Sequence, residues 1–438
     1  MTSGARLSGA AAMAARAAEP LLRRVRPDVG PALAGRIGGA EALAAWGRRR
    51  EPGPLVWLHG ASAGELLGAA PAIRALRARG ADDSGRRAHL LVTHASPSGR
   101  AALPWLEADH AGFPPLDLRR DCDAALAALR PGLIVFAKLD VWPGLVAAAA
   151  RAGVPAALIN GTVRDGSRRS GRVVRRLFRA SYAGLAAVGA ASPEDARRLV
   201  ALGVRASCLG VTGDAACDLA LERADRARAD GSVDRFRAVL GESGAGRLRL
   251  VAGSTWPADE RALLDGVAAA RRAGGPDWQL VIAPHEPTAA HVAELIAACE
   301  ARGERAARWS RLGEGAGVPD GAVVVFDQVG RLAELYAAGD VAWVGGGLGG
   351  TGLHNVLEPA AAGLPVLFGP RHDRADARAL EEAGGGLRCP GGALGGTLAG
   401  LADPSAREHH GRAARTFVEA RAGAATRTAD LLAPLWPV

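Results

Sequence analysis

The sequence predicts an α/β protein made of two doubly wound domains that face a central cleft. Three observations lead there. Short apolar runs alternate with Ala/Leu/Arg-rich helical stretches along almost the whole chain, the pattern of a parallel sheet covered by helices. The runs fall into two sets, on either side of the polar helical stretch from Asp214 to Arg247. Polar, glycine-bearing loops follow the runs at the end where open parallel sheets bind ligands.

The first set of expected strands is Leu55–Leu58, His89–Thr93, Leu133–Phe136 and Ala156–Ile159. The second is Leu248–Ala252, Gln279–Ala283, Val323–Phe326, Val341–Val344 and Val366–Phe368. At 438 residues the chain has the length for two domains of ordinary size. Apolar residues make up 49% against 23% charged, which suffices for a core and excludes global disorder. The expected divisions are an Ala/Arg-rich segment over 1–44, domains over 45–215 and 216–404, and a helical tail over 405–438 that packs back on the first domain.

The formal charge is +9, carried almost wholly by arginine; Lys138 is the only lysine. That balance points to anionic partners, either a phosphorylated substrate or anionic lipid, unless coding bias has simply replaced lysine by arginine. No nucleic-acid-binding signature is present, and Tyr and Phe do not interleave with the basic runs, so no nucleic acid is expected. Cys122, Cys208, Cys217, Cys299 and Cys389 are scattered without C-x-x-C spacing, which argues against both zinc and a disulfide frame. No apolar run reaches the roughly 18 residues of a spanning helix. The stretch Gly9–Leu22 is broken by Arg16, Glu19 and Pro20, and reads as a weak amphipathic helix flanked by Arg23, Arg24 and Arg26 rather than a secretory leader. The expected location is cytoplasmic, against a membrane face. A second basic amphipathic helix is expected where Arg168, Arg169, Arg172, Arg175, Arg176 and Arg179 alternate with Val173, Val174, Leu177 and Phe178; a solvated helix face is the other reading.

The most informative stretch runs from Val344 through a glycine-dense loop to His354, Asn355 and Glu358. Glycines let a backbone approach a ligand closely, and a helix start offers unpaired N–H groups to an anion. Glu358 stands where a carboxylate can reach a ribose diol, so the stretch reads as a nucleotide-sugar site. Gly345, Gly347 and Gly350 also fit a dinucleotide fingerprint, but the run Pro365–Phe368 that follows ends in Gly369-Pro370 without the acid such a site needs.

The ordered loops resemble those of the 3-deoxy-D-manno-octulosonic acid (Kdo) transferase family, glycosyltransferases of the GT-B architecture with two Rossmann-like domains. The resemblance rests on Trp57-Leu-His-Gly-Ala-Ser-Ala-Gly-Glu65, Trp142-Pro143, Asn160–Arg164, Ser192–Asp195, Thr212-Gly213, Ser254-Thr255 with Glu260, Asp327–Leu332, and the string from Val344 to Pro359 with Gly369-Pro370. It covers roughly residues 45–400. Three places depart from the family pattern: Lys138 and Asp140 stand where E-x-E is usual, Pro284-His285-Glu286-Pro287 replaces P-R-H-P, and Ala216 replaces a frequent lysine.

The resemblance implies transfer of Kdo from CMP-Kdo to a lipid A precursor at the cytoplasmic face of the inner membrane. The acceptor would be held by residues 45–215 and the donor by 216–404. Glu65 is the implied general base; on its own residues, a Glu in a first helical turn is also a common partner for backbone N–H groups. The helix dipole is expected to keep it ionised. His59, Ser62, Gly64, Lys138 and Asp140 are candidate acceptor or cleft residues. Gly213, Ser254, Thr255, His285, Gly349, Gly352, His354, Asn355 and Glu358 are candidate nucleotide-sugar contacts, with Ser254, Thr255 and the glycine loop neutralising the leaving phosphate. Asn355 and Glu358, three apart, are expected on one side of a helical turn. For His59, His285 and His354 a structural hydrogen-bonding role stays equally open. Lys138 is open to two readings: a contact to a donor carboxylate or acceptor phosphate, or an internal salt bridge with Asp140 or another acid. Asp117, Asp121 and Asp123 read as solvated loop and helix-start acids, and no metal and no cofactor are expected. The competing functions are a GT-B transferase using another nucleotide sugar, and a catalytically idle nucleotide- or lipid-binding relative.

Overall fold

The computed structural model describes residues 12–14, 17, 30–80, 87–163, 172–241, 246–312, 317–372 and 374–437. Much of the N-terminal amphipathic stretch, with Arg16, Glu19, Pro20, Arg23, Arg24 and Arg26, therefore lies outside the described residues, as do Arg164, Arg168 and Arg169. The chain divides into two units. One runs to Leu219 and takes up the chain again from Ala422, and the other spans Ala220–Arg421.

The first unit is built on β1 (Leu55–Gly60), β2 (His89–His94), β3 (His110–Gly112), β4 (Leu133–Ala137), β5 (Ala156–Gly161), β6 (Ala187–Ala190) and β7 (Leu209–Val211). They form one sheet in the order β3-β2-β1-β4-β5-β6-β7, with every pair parallel. The second unit carries β8 (Arg247–Thr255), β9 (Asp277–Pro284), β10 (Ala306–Arg308), β11 (Val323–Val325), β12 (Val341–Val344), β13 (Val366–Phe368) and β14 (Gly386–Arg388). Their order is β10-β11-β9-β8-β12-β13-β14, again all parallel. The two doubly wound α/β sheets of the sequence reading are therefore present.

Helices cover both faces of a doubly wound sheet, so the central strands are apolar without alternation. Every residue of β1 and β12 is buried. Trp57, Trp278 and Trp343 fill the sheet centres with no exposed surface. Truncating a core side chain such as Leu58 to Ala would cost about 2–5 kcal/mol.

Strand order reverses between β1 and β4 in the first sheet, and between β8 and β12 in the second. Each reversal opens a crevice at the C-terminal ends of those strands, where ligands bind in such sheets. The Glu65 loop follows β1 and the Lys138–Asp140 loop follows β4; Ser254 and Thr255 end β8, and the glycine loop follows β12.

The tail divides. Helix Pro404–Glu419 packs on Leu357–Ala361 in the second unit, and helix Ala424–Leu432 packs on Ala63–Arg79 in the first. The Asp218 carboxylate fixes the point of re-entry by accepting the Gly423 and Ala425 N–H groups at 2.7 and 3.1 Å. Among the described residues no helix is long and apolar enough to cross a membrane.

Candidate active site

In the first unit the chain leaves β1 at Gly60 and enters helix Ala63–Arg79 with Ser62 at the N-cap position, its side chain making no capping bond. Glu65 lies in the first turn and reaches back to accept the Ala61 N–H at 2.6 Å. That bond pins the carboxylate at the loop end of the helix. Burial acts against it and against the dipole, pushing the Glu65 carboxyl above its ordinary value. Asp140 pushes it further up, while the Ala61 N–H, Lys138 and His59 oppose. Gly64 is exposed, and a Cβ there would meet nothing within 4 Å, so the protein's own packing does not require a glycine.

His59 is fully buried. Its Nδ1 lies 2.9 Å from Thr93 Oγ1 and its Nε2 3.1 Å from Asp140 Oδ2. Both ring nitrogens are thus engaged, and the ring acts as a strut that aims Asp140. Trp142 packs edge-on against His59 at 5.0 Å, and the Arg36 guanidinium lies 4.2 Å over the Trp142 ring. Lys138 pairs with Asp214, Nζ to Oδ2 at 2.9 Å, and Asp140 pairs with His59 instead. Gly213, φ +90, precedes Asp214 and lies in this unit against Ala424 and Arg427.

One reading is corrected here. Asp117 is only 4% exposed, not solvated. Its carboxylate accepts the Gly144 and Leu145 N–H groups, both at 2.9 Å. Pro143 opens the helix Pro143–Arg151 without an N–H of its own, so residues 144 and 145 carry the first unpaired donors, and Asp117 satisfies them. A Cβ at Gly144 would sit 2.5 Å from Asp117 Oδ1, which is why a glycine is needed there. Asp121 is buried as well. Arg36, which sequence reasoning did not single out, lines a cavity of about 280 Å³ with Leu33, Asp117, Asp140, Trp142 and Phe178.

In the second unit β8 bulges at its end, with Ser254 in the left-handed region at φ +52. Thr255 is 1% exposed and donates its hydroxyl to Glu260 at 3.0 Å, and His291 Nε2 lies 2.8 Å from that same oxygen. Asp259 accepts the Trp256 N–H at 3.0 Å and the Gly346 N–H at 2.9 Å, tying the β8 loop to the glycine loop. The spacing Trp256-Pro257-x-Asp259 carries the signal for this bond, a helix start with an acid at the third helical position. A Cβ at Gly345 would come within 2.2 Å of Ser254 O, and one at Gly347 within 2.7 Å of Gly369 O. Those glycines serve packing. Gly350 and Gly352 meet nothing within 4 Å, and Gly349 only Thr351 Oγ1 at 3.9 Å, so this arc of the loop borders open space.

Trp256, His285 and His354 form a ring stack, with His285 and His354 centroids 4.2 Å apart and Trp256 5.1 Å from His285. Trp256 Nε1–H donates to His354 Nε2 at 3.0 Å. Burial, with His285 and Arg374 nearby, holds the His354 pKa down to about 4, so the ring is neutral and carries its proton on Nδ1. Asn355 is exposed and lies outside the helix, which begins at Leu357. Its Oδ1 accepts the Leu357 N–H at 3.1 Å, so it does not share a helical face with Glu358 as the spacing suggested. Glu358 pairs with Arg223. Among the described residues no group of His, Cys, Asp and Glu side chains is arranged to hold a metal ion.

A family profile for 3-deoxy-D-manno-octulosonic-acid transferase matches residues 33–219. The chain is similar to the 3-deoxy-D-manno-octulosonic acid transferase of Bordetella pertussis, 33% identical over 408 residues that span 87% of this chain and 88% of that one. The transferase of the same description from Chlamydia pneumoniae is 28% identical over 334 residues, 73% of this chain and 70% of its own. Among solved structures, a glycosyltransferase from Rickettsia africae superposes with a TM-score of 0.56 at 10% identity, covering 88% of this chain and 98% of that one. UDP-GlcNAc 2-epimerase from Methanocaldococcus jannaschii gives 0.55 at 13% identity over 84% and 99%. The structural likenesses speak for the GT-B fold alone. The sequence likeness to the Bordetella pertussis enzyme, over most of both chains, goes further: the protein is a glycosyltransferase and belongs to the 3-deoxy-D-manno-octulosonic acid transferase family.

Proposed function

We propose that the protein transfers Kdo from CMP-Kdo to a hydroxyl of a phosphorylated lipid A precursor, with inversion and with Glu65 as general base. The carrying observation is the Glu65 carboxylate, half-buried at the C-terminal edge of the first sheet, pinned by the Ala61 N–H, with its pKa raised by burial. A base with a pKa raised toward neutral accepts a hydroxyl proton more readily in the transition state. The acceptor oxygen forms its bond to the anomeric carbon as the bond to the CMP phosphate breaks. The hydroxyl proton passes to Glu65, and the electron pair leaves on the phosphate. CMP departs as a weakly basic anion, so its departure calls for charge neutralisation rather than a proton, and no metal or cofactor enters the reading.

Donor binding is assigned to the second unit. The open arc Gly349–Gly352 gives backbone access to the phosphate, and Ser254, at the β8 bulge, packs its carbonyl against Gly345 at the start of the same loop. Neutral His354 offers an Nδ1–H donor, while His285 and Asn355 flank it and Glu358 is assigned to the ribose. Thr255 supports these contacts by holding Glu260, while Gly213, in the first unit, turns the chain into Asp214. On the acceptor side, Ser62, Gly64, His59 and Asp140 surround Glu65. The cavity beside Trp142, lined by Leu33 and Phe178 together with Arg36, Asp117 and Asp140, suits a part of the acceptor that carries both apolar and polar groups. Helix Arg172–Ala183 presents exposed Arg175, Arg176 and Arg179, which fit peripheral contact with the anionic cytoplasmic face of the inner membrane.

The test is the purified protein with CMP-Kdo and an acylated, bisphosphorylated glucosamine disaccharide. The reading expects CMP release coupled to Kdo-bearing product. Absence of product over a range of acceptors, with turnover of a UDP-sugar, overturns it in favour of another nucleotide sugar.

A further inference from the structure

Lys138 is the one lysine among 54 basic residues. This one ammonium stands where the family pattern usually has a glutamate, so it is a feature of this chain's own site. The position is the end of β4, at the strand-order reversal of the first sheet. Lys138 stands there in the left-handed region, φ +59, which costs a residue with a Cβ about 1–2 kcal/mol. Strain of this kind gathers at functional sites. The Lys138 N–H holds the strained turn by bonding Ile159 O at 2.8 Å.

The neighbouring strand repeats the pattern. Asn160 near the end of β5 is also left-handed, φ +52. Its side-chain amide donates to Gly68 O at 2.8 Å and accepts the Ala215 N–H at 3.1 Å, clamping the Asp214 turn against helix Ala63–Arg79. Asp214 Oδ1 accepts the Ala216 N–H at 3.0 Å, and Oδ2 takes the Lys138 ammonium at 2.9 Å. The Lys138 and Asp214 side chains are 30% and 22% exposed, so the pair borders solvent instead of being sealed in the core. Glu65 lies within electrostatic reach of the ammonium.

We propose that Lys138 is a substrate oxyanion contact: its ammonium is shared between Asp214 and a phosphate or carboxylate oxygen of the substrate, beside the hydroxyl that Glu65 deprotonates. The proposal rests on the role given to Glu65 above. An ammonium is a compact charge with three rotatable donors and can serve two acceptors at once; a guanidinium fork would lock onto the Asp214 carboxylate in two-point geometry. Asp214, fixed by Ala216 and the Asn160 clamp, is the positioning residue that keeps the ammonium on station. The oxyanion has two chemical sources, a phosphate of the lipid acceptor or the carboxylate of the donor sugar.

Because the chain has a single lysine, an amine-selective acylating reagent reads one side chain, with the α-amino group as the internal reference. The full-length protein is acylated at limiting reagent alone, or with inorganic phosphate, CMP-Kdo, or the bisphosphorylated disaccharide, and the Lys138 peptide is quantified by mass spectrometry. The expected result is several-fold slower acylation of Lys138, and not of the α-amine, with at least one of these ligands. Protection by the disaccharide but not by its dephosphorylated form assigns the acceptor phosphate, and protection by CMP-Kdo assigns the donor carboxylate. K138M is expected to raise KM for the protecting substrate about ten- to hundredfold, the worth of a charged hydrogen bond, and K138R to leave that KM raised. Unprotected Lys138, with both KM values unchanged in K138M, overturns the proposal and leaves an internal ion pair. The acylation readout needs no turnover. Protection in a protein that transfers no Kdo sinks the Kdo reading alone, and transfer by K138M with unprotected lysine in the wild type sinks the oxyanion contact alone.

Discussion

Arg223 Nη1 lies 2.6 Å from Glu358 Oε1, and joins helix Ala216–Ala229 to the short helix that follows the glycine loop. Both side chains are largely buried, so the pair has a structural consequence whatever Glu358 contacts in a ligand. Breaking a buried pair from one side costs about 3–5 kcal/mol when the remaining charge is left alone; Glu334, 3.7 Å from Arg223, still faces the guanidinium, so the cost falls toward the low end of that range. Glu358→Ala should therefore lower the unfolding midpoint markedly. Glu358→Gln keeps an oxygen for Arg223 and should lower it less, while still weakening CMP binding through the ribose. Equal midpoints for the two variants in denaturant titrations would remove the structural role, and equal CMP affinity for Glu358→Gln and wild type would remove the ribose role.

The glycine loop separates packing from binding. Gly345→Ala puts a Cβ 2.2 Å from Ser254 O and should destabilise the fold by about 1–3 kcal/mol. Gly350→Ala puts one into open space at ordinary backbone angles and should leave the fold within about 0.5 kcal/mol of wild type. If the open arc receives the donor phosphate, Gly350→Ala should raise the donor KM about tenfold at unchanged stability. An unaltered donor KM would place the donor elsewhere.

His354 carries a pH signature. Its pKa is held at about 4 in the folded chain, below the ordinary 6.5 of the unfolded one, so protonation favours unfolding. Its stabilising contribution is complete above about pH 6.5 and is lost as the pH falls toward 4. Urea midpoints at pH 7 and pH 4.5 should fall further apart in the wild type than in His354→Gln. An equal drop in both would mean that the ring does not carry this dependence.

The basic helix predicts a surface effect. Replacing Arg175, Arg176 and Arg179 with Ser should weaken binding to vesicles containing anionic lipid, by about 1 kcal/mol per charge at low salt, and should leave transfer to a detergent-dispersed acceptor intact. Co-sedimentation against vesicle composition measures it, and unchanged binding would reduce the helix to a solvated face.

Which strands were legible follows from where they sit. The central ones are buried on both faces, and read directly as apolar runs such as Leu133–Phe136 and Val341–Val344. The four sheet edges, His110–Gly112, Leu209–Val211, Ala306–Arg308 and Gly386–Arg388, escaped notice. Each is three residues long, pairs on one side only, and holds small or charged residues with no periodicity to read. The interior β6, Ala187-Val-Gly-Ala190, was missed because three of its four residues are too small to register as an apolar run. At the site, positions in loops were visible from their local motifs, but their partners were not. Lys138 meets Asp214 across 76 residues, Arg223 meets Glu358 across 135, and Trp256 meets His354 across 98. Such pairs depend on strand order, which no local pattern encodes. Asp117 was misread for the same reason, since the N–H groups that bury it belong to a helix that begins 26 positions later.

The central claim concerns one carboxylate, and kinetics against pH test it most directly. Burial, with Asp140 adding to it, raises the Glu65 carboxyl above the usual range, so kcat/KM for Kdo transfer should climb with pH through an acid limb placed above that range. Asp140→Asn removes a charge that raises this pKa, and should move the limb to lower pH. Glu65→Gln, which preserves size and keeps an oxygen for the Ala61 N–H, should abolish the limb and lower kcat about 10²–10⁴-fold. A Glu65→Gln protein that folds as the wild type does, and transfers Kdo within a few-fold of its rate with the acid limb in place, would contradict the account.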